Sequence, residues 1–268
     1  MSNRQDYRNL IYQLPSIPKP LQEINQPPKT LYAIGNLSLL ERPKVAIVGS
    51  RRALRYSIDY TRQIASAVAT AGGVVVSGAA MGIDAAAHEG ASARATIAIM
   101  GNSLDLLQPA ANRSLIERIY NEGLALSEYP VTTPATRYSF VARNRLVVGL
   151  ADAVLIAQAD EQSGSMHSAK LALAMKKPLF VLPQRLGESD GTVRLAAKGE
   201  AKLLTSVNEL LEILSLTTPS GPKDDDPFLA YCATSPIYDE ALARYGSRLF
   251  EAELLGIIEI KDGRVRLV

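Results

Sequence analysis

The 268-residue chain has one cysteine, no tryptophan and two histidines. Cys232 alone excludes an internal disulfide and a cysteine-based metal site. His88 and His167 offer no metal-ligand spacing, and no Ser/His/Asp or Cys/His arrangement is recognisable. No apolar run is long enough to span a bilayer, and residues 1–13 lack an apolar signal core. A cytoplasmic protein without a membrane segment is expected. There is no GxGxxG after the first strand pattern and no acidic residue closing the second, which argues against a dinucleotide. Nor is there a GxxxxGK[ST] loop for P-loop chemistry.

What is present is a hydrophobic content of 47%, enough for a full core, and an uneven charge distribution. Residues 41–202 hold 19 Lys/Arg against 14 Asp/Glu, whereas residues 203–268 hold 6 against 11. The basic middle and the acidic tail are expected to do different work.

Residues 1–40 are rich in Pro, Gln and Asn and read as an extended segment packed on the domain that follows. From 41 to 214, short β-rich apolar runs (45–48, 74–76, 96–100, 124–127, 153–156, 179–182) alternate with helical patterns. Thr61, Ile64, Ala65 and Val68 share one helix face, stopped by Gly72-Gly73. Asn112 is positioned to cap a helix bearing Leu115, Ile116 and Ile119, which Gly123 ends. Repeated βα units predict an α/β fold with an extended Rossmann-like parallel sheet, whose ligand lies beyond the carboxyl ends of the strands. Residues 215–227 have linker composition. Residues 228–268 hold two helical patterns, 237–245 and 247–255, and a hairpin turning at Asp262-Gly263, which is winged-helix order.

Three glycine loops would meet on one rim: Gly49-Ser50-Arg51-Arg52, then Ser77-Gly78 through Gly82 to Asp84, then Ser163-Gly164-Ser165. Each alone only makes a turn; three together favour phosphate binding. Arg52 is assigned to the anion, with Arg51 structural or peripheral. Asp84 is read as a cap that anchors a helix start, and His88 as a packed or capping histidine. The stretch 129–145 interleaves Arg137, Tyr138, Phe140, Arg143, Asn144 and Arg145, as a surface that takes phosphates and stacks bases would. A helix-entry loop with Phe140 in the core is the plainer alternative. The rim has many positioning groups and few acids or bases, so no catalytic residue is assigned.

These motifs resemble the DNA-processing protein A family (DprA, also called Smf). The resemblance runs from about Leu21 to Leu204. Pro27-Pro28-x-x-Leu31-Tyr32-x-x-Gly35 is similar to the family's opening segment, and 45–52 to its first strand and GSR loop. Ser77-Gly78…Gly82-Ile83-Asp84-x-x-x-His88 resembles the SGxAxGID…AH signature. Ser127-Glu128-Tyr129-Pro130 with Phe140-x-x-Arg143-Asn144-Arg145 resembles SEYP…FxxRNR, and Ser163-Gly164-Ser165 the SGS loop. Met166-His167-Ser168-Ala169 departs from the usual Leu-Ile-Thr-Ala, and Gln184 stands where glycine is common.

The resemblance implies a non-enzymatic protein that binds incoming single-stranded DNA in natural transformation, protects it and helps load RecA, working as a homodimer. It implies DNA contacts at Gly49, Ser50, Arg52, Gly78, Gly82, Arg137, Phe140, Asn144, Arg145, Ser163, Gly164 and Ser165, with no cofactor and no metal. The acidic tail is expected to bind a protein partner or support the dimer, since phosphate contacts need Lys or Arg. Two other readings stand beside this one. A LOG-like Rossmann enzyme would need a PGGxGTxxE loop, whose glutamate has no counterpart in 163–169. A small-nucleotide sensor would hold a free phosphate ligand in the same rim.

Overall fold

A computed structural model describes residues 6–185, 187–217, 226–254 and 257–267. The chain divides into two compact units, Met1–Thr218 and Pro219–Val268.

In the large unit, nine strands among the described residues form one sheet. They are β1 (Tyr12–Gln13), β2 (Tyr32–Gly35), β3 (Lys44–Val48), β4 (Val74–Ser77), β5 (Thr96–Met100), β6 (Leu124–Ser127), β7 (Ala153–Ile156), β8 (Leu179–Val181) and β9 (Lys202–Leu203). Their order is β1-β2-β6-β5-β4-β3-β7-β8-β9. From β6 to β9 every pair is parallel, with Val45 opposite both Val75 and Ala153. The strands β3 to β8 are buried along their whole length, which is why they read as unbroken apolar runs. The N-terminal segment does more than pack on the sheet. Its β2 pairs antiparallel with β6 and β1 pairs with β2, so it extends the sheet at one edge.

The helices of this unit are α1 (Lys19–Gln22), α2 (Arg55–Thr70), α3 (Ile83–Ala91), α4 (Arg113–Glu122), α5 (Arg137–Leu150), α6 (Gly164–Ala174), α7 (Asp190–Ala197) and α8 (Val207–Ile213). One face of the sheet carries α1, α5, α6 and α7, through Leu21, Leu146, Ala169 and Leu195. The opposite face carries α2, α3 and α8, through Ile64, Ala87 and Leu210, and α4 through Ile116. Burial of Thr61, Ile64, Ala65 and Val68 follows the helical period, and α2 stops just before Gly72, whose φ is +92°. Asn112 does precede α4, yet its side chain makes no cap. Its Nδ2 donates instead to the carbonyl of Ala79, a left-handed residue (φ +55°) inside the β4–α3 loop, at 3.0 Å.

Strand order reverses between β3 and β7. Chain order runs outward from β3 through β4, β5 and β6 in one direction, and through β7, β8 and β9 in the other. The loops that follow β3 and β7 therefore diverge and leave a crevice at the carboxyl rim.

The small unit holds α9 (Pro227–Ala233), α10 (Tyr238–Tyr245), α11 (Ser247–Leu254), β10 (Ile258–Lys261) and β11 (Arg264–Leu267). The two strands pair antiparallel, and both Asp262 and Gly263 have positive φ, as the two-residue turn requires. The helix α9 is additional to the two expected from the sequence. It begins at Pro227, with Asp226 Oδ1 accepting the N–H of Phe228 at 3.0 Å. Phe228, Cys232, Ala241, Leu249 and Val265 form its core. Most of the expected linker (218–225) and residues 255 and 268 of the expected helix and hairpin lie outside the described residues.

Candidate nucleic-acid interface

A cleft of about 410 Å³ occupies the crevice at the switch point. It is lined from the β3 loop by Gly49, Ser50 and Arg51, from the first turns of α5 by Arg137, Phe140 and Asn144, and from the β7–α6 loop by Ser163, Gly164 and Ser165. Arg143 and Asp84 form its inner wall.

The β3 turn is held in one conformation by backbone contacts. The N–H of Ser50 donates to Gln158 O at 2.8 Å, the N–H of Leu54 to Gln158 Oε1 at 2.8 Å, and the N–H of Ile83 to Ser50 O at 3.2 Å. A side chain at Gly49 would press on Ile83 Cγ1 at 2.6 Å, so this position must be glycine. Arg52 donates its N–H to Ser50 Oγ at 3.1 Å, which closes the turn and leaves its side chain outside the cleft. Arg51 leans inward, its guanidinium 5.1 Å from the centre of the Phe140 ring.

Helix α5 starts sharply, because Thr136 Oγ1 accepts the N–H of Ser139 at 3.0 Å while Ser139 Oγ accepts the N–H of Thr136 at 2.8 Å. Arg137 is thereby exposed at the mouth and Phe140 half-buried one turn deeper. Phe140 packs against Gly101, where a Cβ would lie 2.8 Å from its ring. Ser163 precedes α6 without capping it, and its buried Oγ has no hydrogen-bond partner among the described residues. With Gly164 in open space, the first N–H groups of an 11-residue helix face an approachable surface, which suits an anion.

Beneath the cleft lies a buried polar network. Asp84 Oδ2 accepts the N–H of Gly78 at 3.2 Å and of Ala80 at 3.4 Å, and stands 4.0 Å from Arg143 Nη1. Burial raises the Asp84 carboxyl above its ordinary range, against the pull of Arg143 and of the two amides. Thr96 Oγ1 donates to Val75 O at 3.0 Å, so His88 Nδ1–H donates to Thr96 at 2.6 Å and Nε2 accepts the N–H of Ala79 at 3.3 Å. The ring is neutral: burial, reinforced by Arg143, lowers its pKa from 6.5 to about 3. Asp84 and His88 thus anchor the β4–α3 loop; Asp84 does not cap α3, which starts without a side-chain cap, because its carboxylate is turned back to the loop amides.

A pH dependence follows from His88. Its folded-state pKa lies below the unfolded value, so its contribution is complete above about pH 6.5 and is lost as pH falls towards 3. At pH 5 the loss is about 2 kcal/mol. His88→Leu should flatten the slope of unfolding free energy between about pH 6.5 and pH 4. An identical slope in the variant would remove His88 from the account.

The structure brings together Gly49, Ser50, Arg137, Phe140, Asn144, Ser163, Gly164 and Ser165 of the expected site. Four others are placed elsewhere. Arg52 lies outside the cleft, and Arg51, read as peripheral, lines it. Gly78 gives room to Arg143, whose guanidinium would overlap any Cβ there. Gly82 (φ +77°) passes directly beneath Ser50 and Arg51. Arg145 makes two 2.6 Å bonds to Glu128 and a 2.8 Å bond from Nε to Gln26 O, which ties α5 to the β6 loop. Arg143, not assigned from the sequence, is nearly fully buried in the inner wall, and its Nε has no hydrogen-bond partner among the described residues.

The family model described as DNA recombination-mediator protein A matches residues 8–215. The chain belongs to that family. Protein Smf of Synechocystis sp. is 41% identical over 209 residues, covering 75% of this chain and 52% of the relative. The chain thus spans about half the length of that relative. The DNA processing protein DprA of Streptococcus pneumoniae is 38% identical over 198 residues, covering 72% of the chain and 70% of the relative. Among solved structures, DNA processing protein A of Helicobacter pylori, studied for its single-stranded DNA binding mode, superposes with a TM-score of 0.74 at 46% identity. It covers 76% of this chain and 95% of that one. The DprA of Streptococcus pneumoniae superposes with a TM-score of 0.71 at 35% identity, over 77% and 75%. Among the described residues no helix is long and apolar enough to cross a membrane, and no acidic, histidine or cysteine cluster forms a metal site.

Proposed function

We propose that the large unit binds single-stranded DNA in the cleft at the switch point, and that the protein acts as a recombination mediator rather than as an enzyme. The observation that carries this is the pairing of anion-binding groups with an accessible aromatic ring. The Gly49–Arg51 turn, Arg137 and the start of α6 supply donors and positive charge around Phe140, which stacks a base. Such a site is tolerant of sequence, because it reads phosphate and ring faces rather than base edges. Among the described residues the only carboxylate lining the cleft, Asp84, is engaged with two amides and Arg143, so it holds the loop rather than moving protons. The single-stranded DNA binding of the Helicobacter pylori relative supports the same ligand here.

Membership of the family supports a role in natural transformation, in which the protein retains incoming strands in the cytoplasm and passes them to RecA as a homodimer. The acidic small unit suits a protein partner.

The test is a fluorescence-anisotropy titration of labelled single-stranded and duplex DNA at two salt concentrations. Arg51→Ala should weaken single-strand binding and reduce the slope of log affinity against log salt by about 1. Phe140→Ala should cost about 1–3 kcal/mol of affinity and leave that slope nearly unchanged. Binding indifferent to both substitutions would overturn the assignment of the cleft.

A further inference from the structure

A second recess opens on the same carboxyl rim but on the opposite face of the sheet. It measures about 570 Å³ and lies where α2 meets the loops that follow β8 and β9. Ile64, Leu182 and Leu204 line its apolar base. Tyr56 and Tyr60 line it from α2, their rings 4.7 Å apart, and they remain 39% and 46% exposed. Gln184 Nε2 donates to Ser57 Oγ at 3.1 Å and to Ala157 O at 2.7 Å, so the β8 loop is fastened to α2 and the recess is preformed.

The two recesses are separated by the turn 49–54. Arg51 faces the cleft from it, while Arg52 is exposed and has no ion pair among the described residues. Arg55 follows at the start of α2, pairing with Asp59 at 2.7 Å in an exposed contact of small worth. Arg62 bonds Glu89 at 2.6 Å and lies 3.6 Å from Asp59, so on this face two arginines meet two carboxylates, while Glu188 and Arg185 act on Tyr56 with opposite sign. A basic crest thus leads from a phosphate-binding cleft to a pair of half-exposed aromatic rings.

We infer that a single strand held in the cleft crosses the turn at Arg52 and continues onto Tyr56 and Tyr60, which form a second base-stacking subsite. The inference rests on the reading of the cleft as a single-strand site. Tyr56 and Tyr60 lie one helical turn apart, about 6 Å along α2, and present a ladder of two faces rather than one buried ring. Stacking on such faces needs no base-specific contact, and tracts of about 4–16 nucleotides are usual for single-strand grooves. Arg52 thereby acquires the phosphate role that the cleft itself does not give it.

The experiment compares thymidine oligonucleotides of about five and about fifteen nucleotides against wild type, Tyr60→Ala and Phe140→Ala. It is combined with photo-cross-linking of the longer oligonucleotide bearing 5-iododeoxyuridine. Tyr60→Ala should lower affinity for the long oligonucleotide about tenfold and leave the short one within about twofold. Cross-links should map to Tyr56 or Tyr60 as well as to the cleft. Equal affinity of wild type and Tyr60→Ala for the long oligonucleotide, with cross-links confined to the cleft, would overturn the subsite and leave the cleft standing. A dimer lost in Tyr60→Ala with oligonucleotide affinity unchanged would also overturn it, by making the recess a contact between two copies. Failure of wild type to bind either oligonucleotide, or indifference of the short one to Phe140→Ala, would remove the reading of the cleft and the subsite with it.

Discussion

Arg143→Met is expected to destabilise the large unit by about 3–5 kcal/mol, the cost of leaving a buried carboxylate without its cation. Arg143 and Asp84 are both almost completely buried, and their closest approach is 4.0 Å. Removing the guanidinium leaves Asp84 with two long amide bonds and the Ser77 hydroxyl. Its carboxyl, already raised by burial, would rise further, because the nearby positive charge that lowers it is gone. A folded-state pKa above the unfolded value contributes stability at low pH and loses it as pH rises through the folded value. The loss in Arg143→Met should therefore be greater at high pH than at low pH. Adding Asp84→Asn should recover part of it, and urea unfolding of the four proteins gives the coupling directly. An equal loss at both pH values, or strictly additive effects, would show that the two groups do not act as a pair.

Gly82→Ala should cost about 3 kcal/mol and also weaken oligonucleotide binding. At φ +77° and ψ −124° its backbone occupies a region that residues with a Cβ rarely enter. The added methyl would meet the Ser50 carbonyl, and it would lie 2.8 Å from the carbonyl of Arg51. These are main-chain atoms of the phosphate-binding turn, pinned by Gln158 and Ile83, so they cannot swing aside as a side chain would. Relief comes from lifting the turn, which moves Arg51 off Phe140. The expected result is a lower urea midpoint together with lower affinity. A stable variant with wild-type affinity would mean that the turn has slack and that its fixed shape is not needed.

The central strands are legible in the sequence because each is buried on both faces and is therefore apolar throughout, as in 45–48 and 153–156. Strands β1, β2 and β9 are not legible in that way. Two of them are two residues long, and β2 lies in a stretch whose prolines read as irregular chain. Their existence depends on an edge offered elsewhere in the chain: β2 on β6, about ninety residues downstream, β1 on β2, and β9 on β8. At the cleft, residue type and order indicate charge beside an aromatic ring, but not which arginine turns inward. Arg51 and Arg52 are chemically identical neighbours, and a 3.1 Å bond from the backbone of Arg52 to Ser50 Oγ accompanies the turn that separates them. Arg143 and Arg145 lie two residues apart on α5, yet one reaches the space left by Gly78 and the other Glu128. Those partners are distant in sequence, and the one clue in the chain was that a glycine and a carboxylate had to be accounted for somewhere.

Cys232 is fully buried in the core of the small unit, against residues such as Phe228 and Val265, and it is the chain's sole thiol. A thiol-specific reagent added to the native protein will therefore modify it only when that unit opens, whatever the large unit is doing. Burial also raises the thiol's pKa, which suppresses the thiolate and slows reaction in the closed form. The protein consequently carries a built-in kinetic reporter of one half of itself, readable by mass without any engineered label. The rate of labelling with and without an oligonucleotide bound to the large unit measures directly whether the two halves communicate.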